Sequence, residues 1–328
     1  MKIFMIGEAA NHAGILAASL QQPHEIVPLS REAAQSDAHD GLIGAGDVVI
    51  SLRLKRTGNP FPPVRLLHVP GAGLDGIDFG SLAPDTAICN VFEHEIPIAE
   101  YVLSAMLEWE IRAVEMRRTF TPETWPDVYR ERVPHGEIYG KTLCVVGFGR
   151  IGRAIATRAK AFGMRILALD AYAGDLGPAD EILPPQELDR LLPEVDYLVL
   201  ACPLTKATTG LIGKAQLVAM KPTAVLINIS RAEIADEASL FEALAQKTIG
   251  GACLDVWYRY PAGSSDRVEP SSFPFHTLEN AVCTPHSSAW TRQLPQRRYA
   301  FIAENLNRLA RGEPLRNVVR APGAGPAK

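Results

Sequence analysis

The sequence predicts an α/β protein with two doubly wound parallel-sheet domains. In two stretches, residues 1–98 and 141–283, short apolar segments alternate with segments of helical periodicity. This alternation is typical of parallel sheets covered by helices. The chain has 328 residues, which is enough for two domains with separate cores. Residues 142–159 also run from an apolar strand through three glycines into a helix, an arrangement that opens many α/β domains.

The first stretch predicts a small parallel sheet with two loops at one of its edges. Strands are expected at residues 2–6, 25–29, 47–52, 66–69 and 86–90, and a helix at residues 11–20 has Asn11 as its N-cap. Ligands of such sheets bind beyond the carboxyl ends of the strands. There, the turn Gly71-Ala72-Gly73 can aim its N–H groups at an anion. Arg53 lies in the other loop as one of three cations, for which a solvated charged loop is the alternative explanation.

The middle and the end of the chain define the predicted domains. A long helix is expected at residues 98–116, at the crossing to the second domain. A last helix at residues 294–311, ended by Gly312, is expected to return to the first domain. The predicted domains are therefore residues 1–98 with 290–328, and residues 99–289. Residues 117–140 are polar and irregular; an arm of this kind is often a subunit interface, so we expect a homodimer.

Three glycines with the spacing G-x-G-x-x-G follow the strand at residues 141–146 and predict a dinucleotide site. Gly147 allows a tight turn, Gly149 lets the backbone approach a pyrophosphate, and Gly152 lets the helix pack closely on the strand. The helix N-terminus offers N–H groups and a positive dipole end to the phosphates. A second strand ends in Asp170, 18 residues after Gly152, where a carboxylate can bind ribose hydroxyls. A glycine-rich turn in some other α/β protein is the alternative.

Three later strand ends carry polar side chains on the side where the cofactor is expected. Arg231 can hold a carboxylate or a carbonyl in its planar fork, and His286 can exchange a proton with a hydroxyl near pH 7. Asp255 can accept a hydrogen bond from the nicotinamide carboxamide. A proton acceptor and a cation are what hydride transfer between C–OH and C=O needs. Each residue also has a structural explanation: an ion pair for Arg231, a hydrogen-bonded loop position for His286, and a turn or cap for Asp255.

Composition and charge exclude several classes of protein. The formal net charge is −4, which predicts no nucleic-acid partner and no acidic-membrane partner. The five cysteines are scattered, four of them in apolar runs and without C-x-x-C spacing. They predict buried thiols in a reducing cytoplasm and no metal site. The N-terminal apolar run is too short for a signal peptide, and no run approaches the roughly 18–20 residues of a membrane span.

Motifs along nearly the whole chain make it similar to the D-isomer-specific 2-hydroxyacid dehydrogenases. In the order of the family, the matching segments are Gly71-Ala72-Gly73 with Ile77-Asp78, Ile98-Ala99-Glu100, Gly147-Phe148-Gly149-Arg150-Ile151-Gly152, Pro203-Leu204-Thr205, Asn228-Ile229-Ser230-Arg231, Leu254-Asp255-Val256-Trp257 and Thr284-Pro285-His286. These motifs are very specific for the family and much less specific for the substrate. The resemblance implies a flavodoxin-like substrate domain and a Rossmann NAD-binding domain.

The resemblance also implies roles for single residues. Arg231 would bind the substrate carboxylate and the reacting oxygen, and His286 would be the acid/base. The segment Gly71-Ala72-Gly73 would give N–H bonds to the carboxylate, with Arg53 as a further substrate-binding residue. NAD is implied over NADP, because no arginine or lysine follows Asp170 to receive a 2′-phosphate. The implied cofactor-binding residues are Gly147, Gly149, Arg150, Ile151, Asp170, Cys202, Pro203, Ser230 and Asp255.

One position departs from the family pattern. A glutamate that pairs with the histidine usually lies five residues after the aspartate of the D-V-[FW] motif, and Tyr260 stands there. A carboxylate raises the pKa of an imidazole, whereas a tyrosine is neutral near pH 7. His286 therefore works without a carboxylate, or another acid takes the role. Glu269, only 17 residues before His286, and the segment Glu93-His94-Glu95 are the other candidates. A smaller departure is Ala232, where the family usually has glycine.

Three functions remain open on the sequence. The prediction is a NAD-dependent oxidoreductase that transfers a hydride between the nicotinamide and C2 of a D-2-hydroxy acid or of a 2-keto acid such as glyoxylate, hydroxypyruvate or a larger analogue. A NAD(H)-binding regulatory protein with weak or no catalysis is an alternative, because the usual carboxylate is missing, although Arg231 and His286 are both present. A formate-like oxidation without proton transfer is the third, since the formate dehydrogenase branch also lacks the glutamate.

Overall fold

The computed structural model describes residues 1–56, 58–172, 174–261 and 265–323. The chain forms two compact units. The split unit consists of Met1–His94 together with the C-terminal segment that begins at Thr291, and the continuous unit consists of Glu95–Trp290. Each has its own sheet and core. The prediction of two parallel-sheet α/β domains is confirmed.

The elements follow the strand–helix alternation expected from the sequence. In chain order they are β1 (Lys2–Ile6), α1 (Ala13–Ser19), β2 (Glu25–Leu29), β3 (Val48–Ser51), β4 (Leu66–Val69), β5 (Ala87–Asn90), α2 (Glu95–Ile111), α3 (Ala113–Thr119), α4 (Trp125–Arg130), β6 (Thr142–Val146), α5 (Arg150–Ala161), β7 (Arg165–Leu169), β8 (Glu181–Leu183), α6 (Leu188–Leu191), β9 (Tyr197–Leu200), α7 (Lys214–Ala219), β10 (Val225–Asn228), α8 (Glu237–Ala245), β11 (Gly251–Leu254), β12 (Ala281–Cys283), α9 (Leu294–Arg311) and β13 (Val318–Arg320). Among the described residues, no helix has both the length and the apolar character needed to cross a bilayer.

The sheet of the split unit has the order β2-β1-β3-β4-β5-β13 within the described residues. Its first five strands are parallel and in the flavodoxin-like order 2-1-3-4-5. Strands β3, β4 and β5 are buried along their whole lengths, as parallel strands covered on both faces must be. Tyr299, Ile302 and Leu306 of α9 join this core. That helix ends at Gly312, whose φ of 71° is the predicted left-handed cap.

The sheet of the continuous unit has the order β12-β11-β10-β9-β6-β7-β8 within the described residues. All its strand pairs are parallel. Counted from β6, this is the Rossmann order, and the direction of winding reverses between β6 and β9. All carboxyl strand ends lie on one edge of a parallel sheet. The loops that follow β6, β7, β9, β10, β11 and β12 therefore share that edge, and it is where this fold binds its ligands.

The first helix differs from its prediction. The segment Gly7–His12 is a 3-10 turn, so α1 begins only at Ala13, and Asn11 does not cap it. The cause lies directly after β1, where Gly7 has a φ of 67° and turns the chain at once. The tight turn uses the residues that the pattern had assigned to the first turn of α1.

The long helix expected at the crossing is broken. It ends at Ile111, and Arg112 has a left-handed φ of 55° before α3 begins. Such a conformation is costly for a residue other than glycine. The N–H of Val114 donates to the Glu108 carboxylate at 2.9 Å, and an ion pair joins Arg112 to Glu115 at 2.6 Å. These side-chain contacts stabilise a break that no glycine or proline marks in the sequence.

Two strands have no counterpart in the sequence-based prediction, β8 and β13. Each has three residues and lies at an edge of its sheet. Strand β13 pairs antiparallel with β5, and the guanidinium of Arg320 donates to the carbonyls of Ala83 and Thr86. Tertiary partners of this kind create strands that are too short to show a periodic pattern.

Candidate functional site

The turn after β6 requires glycine at two positions. Gly147 has a φ of 95°, and a Cβ on it would lie 2.6 Å from the backbone of Cys202. A Cβ on Gly152 would lie 2.3 Å from the carbonyl oxygen of Gly147. The turn is further held by the N–H of Gly147, which donates to Leu169 O at 2.8 Å. Close approach of β9 and of α5 to this turn thus explains the first and last glycines of the motif.

The middle glycine of the motif, Gly149, has different surroundings. A Cβ on Gly149 would meet no atom within 4 Å, so open space lies directly in front of the N-terminus of α5. Gly149 caps that helix without a side-chain hydrogen bond. The first N–H groups of a helix have no acceptor inside it, and Arg150 and Ile151 belong to this first turn. The space and the N–H groups fit the pyrophosphate of a dinucleotide such as NAD.

Asp170, directly after β7, is fixed beside the glycine turn. One carboxylate oxygen accepts the N–H of Phe148 at 2.7 Å, and the other accepts the N–H of Tyr172 at 2.8 Å. Asp170, directly after β7, therefore contacts the glycine turn, as a carboxylate that binds the ribose of a dinucleotide must.

The loops after β9 and β10 are joined by hydrogen bonds. The hydroxyl of Ser230 donates to the carbonyl of Cys202, the residue that packs against Gly147 and precedes Pro203. Buried Asn228 accepts the N–H of Ser230 at 3.2 Å and donates to the carbonyl of Arg231 at 2.9 Å. The guanidinium of Arg231 donates to the carbonyl of Ser230 at 2.8 Å. These contacts fix the backbone that carries Arg231.

Asp255 anchors the loop that contains the histidine. It is fully buried and accepts three hydrogen bonds, from the hydroxyl of Thr284 at 2.6 Å and from the N–H groups of Ser287 and Ser288 at 2.8 and 2.9 Å. The geometry thus gives Asp255 a positioning role, and the contact with a carboxamide that the sequence suggested stays a prediction.

One further residue of this region, Tyr101, was not singled out from the sequence. Because the Thr284 hydroxyl donates to Asp255, it accepts from the hydroxyl of Tyr101, 2.7 Å away. The indole N–H of Trp257 donates to the carbonyl of Thr284 at 2.8 Å. Burial raises the pKa of Tyr101 to about 12. Thr284 and Trp257 belong to motifs of the sequence, whereas no local signal pointed to Tyr101, which lies on α2.

Tyr260 is the hydrogen-bonding partner of His286. Its hydroxyl lies 2.8 Å from Nδ1 of the imidazole and accepts the backbone N–H of Trp257 at 3.0 Å. His286 itself has a left-handed φ of 55°. A hydroxyl has one donor and two acceptor sites. Tyr260 can therefore accept Nδ1–H from a protonated imidazole, and it can also donate to Nδ1 of a neutral one.

The surroundings lower the pKa of His286. Burial has the largest effect and disfavours the charged ring; the charge of Arg231 acts in the same direction, and that of Asp255 opposes it. The effect of Arg231 also means that its guanidinium is near enough to act on the imidazole. The Tyr260 hydroxyl stays neutral, because burial raises its pKa.

The other candidate partners of His286 differ from Tyr260. Glu269 lines the same cavity as His286, but no hydrogen bond joins the two among the described residues. Glu93 belongs to the split unit, has a φ of 73° and pairs with Arg297 at 3.6 Å. A pair of this kind is a structural explanation for the polar segment at the crossing.

In the split unit, the two predicted loops are bound to each other. The N–H of Leu54 donates to Gly76 O at 2.8 Å, and the N–H of Asp78 donates to Leu54 O at 2.7 Å. This pairing brings exposed Arg53 beside Gly76, and the neighbouring Leu52 packs against Gly71 of the turn Gly71-Ala72-Gly73. Arg56 is a structural cation instead, because it is buried in a bidentate pair with Asp40, at 2.5 and 2.7 Å.

Comparison with known proteins decides the family. Residues 103–288 match the model of the D-isomer specific 2-hydroxyacid dehydrogenase, NAD binding domain. A glyoxylate reductase of Korarchaeum cryptofilum is 37% identical over 270 residues, which cover 79% of this chain and 76% of that protein. The chain belongs to the D-isomer-specific 2-hydroxyacid dehydrogenase family.

Other members of this dehydrogenase family resemble the chain over different lengths. A D-3-phosphoglycerate dehydrogenase of Methanocaldococcus jannaschii is 32% identical over 263 residues, 79% of this chain but 48% of that protein. The chain thus matches about half the length of that relative. A solved D-lactate dehydrogenase with NAD⁺ from Lactobacillus jensenii has a TM-score of 0.74 and 26% identity, and the match covers 97% of this chain and 99% of that chain.

Membership of this dehydrogenase family confirms two predictions, the resemblance and the NAD-binding domain. The glycine turn, Asp170 and the β10–β12 loops all lie within residues 103–288, which carry that domain. The roles of single residues and the identity of the substrate stay predictions.

Proposed function

We propose that the chain is a NAD-dependent oxidoreductase that transfers a hydride between the nicotinamide and C2 of a D-2-hydroxy acid or 2-keto acid. The observation that carries this proposal is the hydrogen bond between Tyr260 and His286, at the sheet edge that holds the glycine turn. It gives an imidazole a fixed partner and leaves its Nε2 as the second proton site. Arg231 supplies a cation close enough to affect that imidazole.

Arg231 binds the substrate carboxylate in the proposed mechanism. A planar guanidinium forms two parallel hydrogen bonds with a carboxylate, which fixes both position and orientation. The same cation polarises the carbonyl oxygen at C2, where negative charge develops during reduction. Arg53 and the turn Gly71-Ala72-Gly73 are proposed as further contacts of the carboxylate, and the N–H groups of that turn suit an anion.

His286 moves the proton. NAD, when bound, supplies or accepts the hydride. In the reducing direction, the imidazolium donates its Nε2 proton to the oxygen at C2; in the oxidising direction, the neutral ring takes the proton of the hydroxyl at Nε2. Tyr260 holds Nδ1 in both cases, and catalysis needs the arrangement in which Nδ1–H donates to the tyrosine oxygen. Because the pKa of His286 is lowered, reduction weakens at lower pH than it would with an unperturbed imidazole.

Kinetics test the proposal. NADH oxidation is measured against 2-keto acids of varied size and charge, with Arg231→Gln, His286→Asn and the control Tyr258→Phe, whose hydroxyl binds the carbonyl of Ala235 instead. We expect turnover in the wild type and in the control, and large losses in the other two. Tight NADH binding without turnover favours a regulatory protein. A rate independent of pH through the histidine range favours oxidation without proton transfer.

A homodimer is proposed through the arm between α2 and β6. Its aromatic side chains are exposed in this chain: Phe120, Trp125 and Tyr129 are each about half accessible and form a row with ring centres 5.6 and 5.0 Å apart. Exposed apolar patches of this kind mark interaction sites. Sedimentation of the wild type, of Trp125→Glu and of the control Val218→Glu tests this; only Trp125→Glu should dissociate the dimer.

A cytosolic location is also proposed. The five cysteines are free thiols, and four of them are buried, which suits a reducing compartment. Fractionation of the source cells tests it, and recovery of the protein outside the cytosol contradicts it.

A further inference from the structure

A large cavity lies beside the Tyr260–His286 pair in the continuous unit. Its volume is about 880 Å³, it is partly open to solvent, and it is lined by the loops that follow β11 and β12. Both members of the pair line it. Arg231 and its loop do not belong to the lining.

The lining is mainly aromatic and prolyl. It includes Trp257, Val268, Phe273, Pro274 and Phe275. Phe273 stacks on Phe241 with ring centres 5.0 Å apart, so this wall is tied to α8 and is supported from behind. Cavities of roughly 300–1,000 Å³ with apolar walls and a few polar groups are typical sites for molecules much larger than a two-carbon or three-carbon acid.

We propose that this cavity receives the side chain of the substrate, and that the substrate is a 2-keto or 2-hydroxy acid with an aromatic or bulky aliphatic group. The inference rests on the proposed function, because it places C2 at His286. The substituent on C3 then lies beside Tyr260 and Trp257, which line the cavity together with His286. Burial of an apolar ring against these walls stabilises the complex in proportion to the area removed from water.

The charge of the lining argues against a phosphorylated side chain. Apart from His286, the acidic, basic and histidine side chains of the wall are Arg259, Glu269 and His276, and all three are exposed. A phosphate needs several converging donors, whereas the remaining wall is mostly apolar. An aromatic ring needs no such donors, and it packs favourably against proline and phenylalanine side chains.

A substrate panel with one cavity-filling variant tests the inference. Turnover of glyoxylate, pyruvate, phenylpyruvate, 4-methyl-2-oxopentanoate and 3-phosphohydroxypyruvate is compared for the wild type and for Val268→Trp, which places an indole in the cavity. Val218→Trp on α7 is the matched control, because Val218 is 64% exposed and does not line the cavity. Competitive inhibition by 3-phenylpropanoate, which lacks the keto group, gives a readout independent of turnover.

We expect kcat/KM for phenylpyruvate to exceed that for glyoxylate by roughly a hundredfold. Val268→Trp should lower kcat/KM for phenylpyruvate roughly tenfold or more, through a higher KM. It should raise the inhibition constant of 3-phenylpropanoate by the same factor, and it should change kcat/KM for glyoxylate by less than about twofold. Val218→Trp should change neither. If Val268→Trp does not fold, Val268→Phe takes its place.

Two results would overturn the inference. If glyoxylate or 3-phosphohydroxypyruvate is the best substrate and the filled cavity changes nothing, the substrate class is wrong while the proposed function stands. If no 2-keto acid is turned over, the proposed function fails, and the inference fails with it.

Discussion

The hydroxyl of Tyr260 lies 2.8 Å from Nδ1 of His286 and is itself held by the backbone N–H of Trp257. A neutral phenol thus occupies the position where the family usually has a carboxylate. A carboxylate accepts only, and so it forces the proton onto Nδ1. A hydroxyl allows both directions, and when it donates to Nδ1 the remaining proton sits on Nε2, where it blocks uptake of a proton from an alcohol.

The first prediction concerns this pair. Tyr260→Glu should raise the pKa of His286, because a negative charge near Nδ1 favours the imidazolium. Reduction requires that imidazolium, so the high-pH limb of kcat/KM should move up by roughly one to two units. Tyr260→Phe should lower kcat roughly tenfold, the value of one net hydrogen bond.

The pH profile of kcat/KM distinguishes a role of Tyr260 in positioning His286 from a role in the stability of the fold alone. Tyr258→Phe removes another buried tyrosine hydroxyl and should leave the profile in place. If Tyr260→Glu leaves the limb where it is in the wild type, the hydrogen bond has no catalytic role.

A second prediction concerns Arg231. Arg231→Gln should lower kcat/KM for a 2-keto acid by roughly 10²–10³-fold, because two charge-assisted hydrogen bonds contribute about 1.5–3 kcal/mol each, with partial overlap. Arg231→Lys keeps the charge but loses the fork and should recover only part of the rate. NADH affinity, measured by fluorescence, should stay unchanged in both. Equal losses of NADH binding would instead indicate a structural role.

A third prediction separates two glycines of the same motif. Gly147→Ala should destabilise the protein by roughly 2 kcal/mol or more, because its Cβ meets the backbone of Cys202 and its φ is positive. Gly149→Ala should leave the unfolding midpoint nearly unchanged, since its φ is −75° and its Cβ points into open space. That space is the proposed path of the pyrophosphate, so NAD affinity should fall roughly tenfold or more. Calorimetry gives both quantities, and unaltered NAD binding by folded Gly149→Ala contradicts the prediction.

A fourth prediction links pH and stability through His68. This side chain is fully buried on β4, and burial lowers its pKa to about 4. Asn305 accepts the N–H of Arg316 through its carbonyl oxygen and presents its amide N–H₂ to Nε2 of His68 at 3.1 Å. A proton on Nε2 would therefore face a donor, so the folded state keeps the ring neutral.

Between about pH 6.5 and pH 4, the unfolded chain binds a proton at His68 and the folded chain does not, so stability falls as the pH falls through this window. The loss amounts to roughly 3 kcal/mol at 1.36 kcal/mol for each pKa unit. His68→Gln keeps an acceptor for Asn305 and should lack this loss in urea unfolding, while the exposed control His135→Gln should follow the wild type. Parallel curves for His68→Gln and the wild type would refute the assignment.

Much of the fold followed from local patterns. Strands β1, β2 and β4 and helix α9 have the bounds expected from the sequence, because the alternation of apolar segments, the turn residues between them and a glycine cap are local signals. The break at Arg112 carries no such signal, since one ion pair and one carboxylate–backbone hydrogen bond stabilise it. Edge strands β8 and β13 are likewise defined by their neighbours rather than by their own residues.

The sequence by itself determined the family, the dinucleotide motif and the strand ends that carry Arg231, Asp255 and His286, because spacing and residue type record these directly. Only the tertiary structure chose Tyr260 over Glu269 as the partner of His286, since a hydrogen bond depends on where two loops meet and not on their separation along the chain. It also gave Asp255 three donors from the histidine loop. The glycine motif is a local feature of the sequence, whereas the hydrogen bond between Tyr260 and His286 forms only where the loops after β11 and β12 come together.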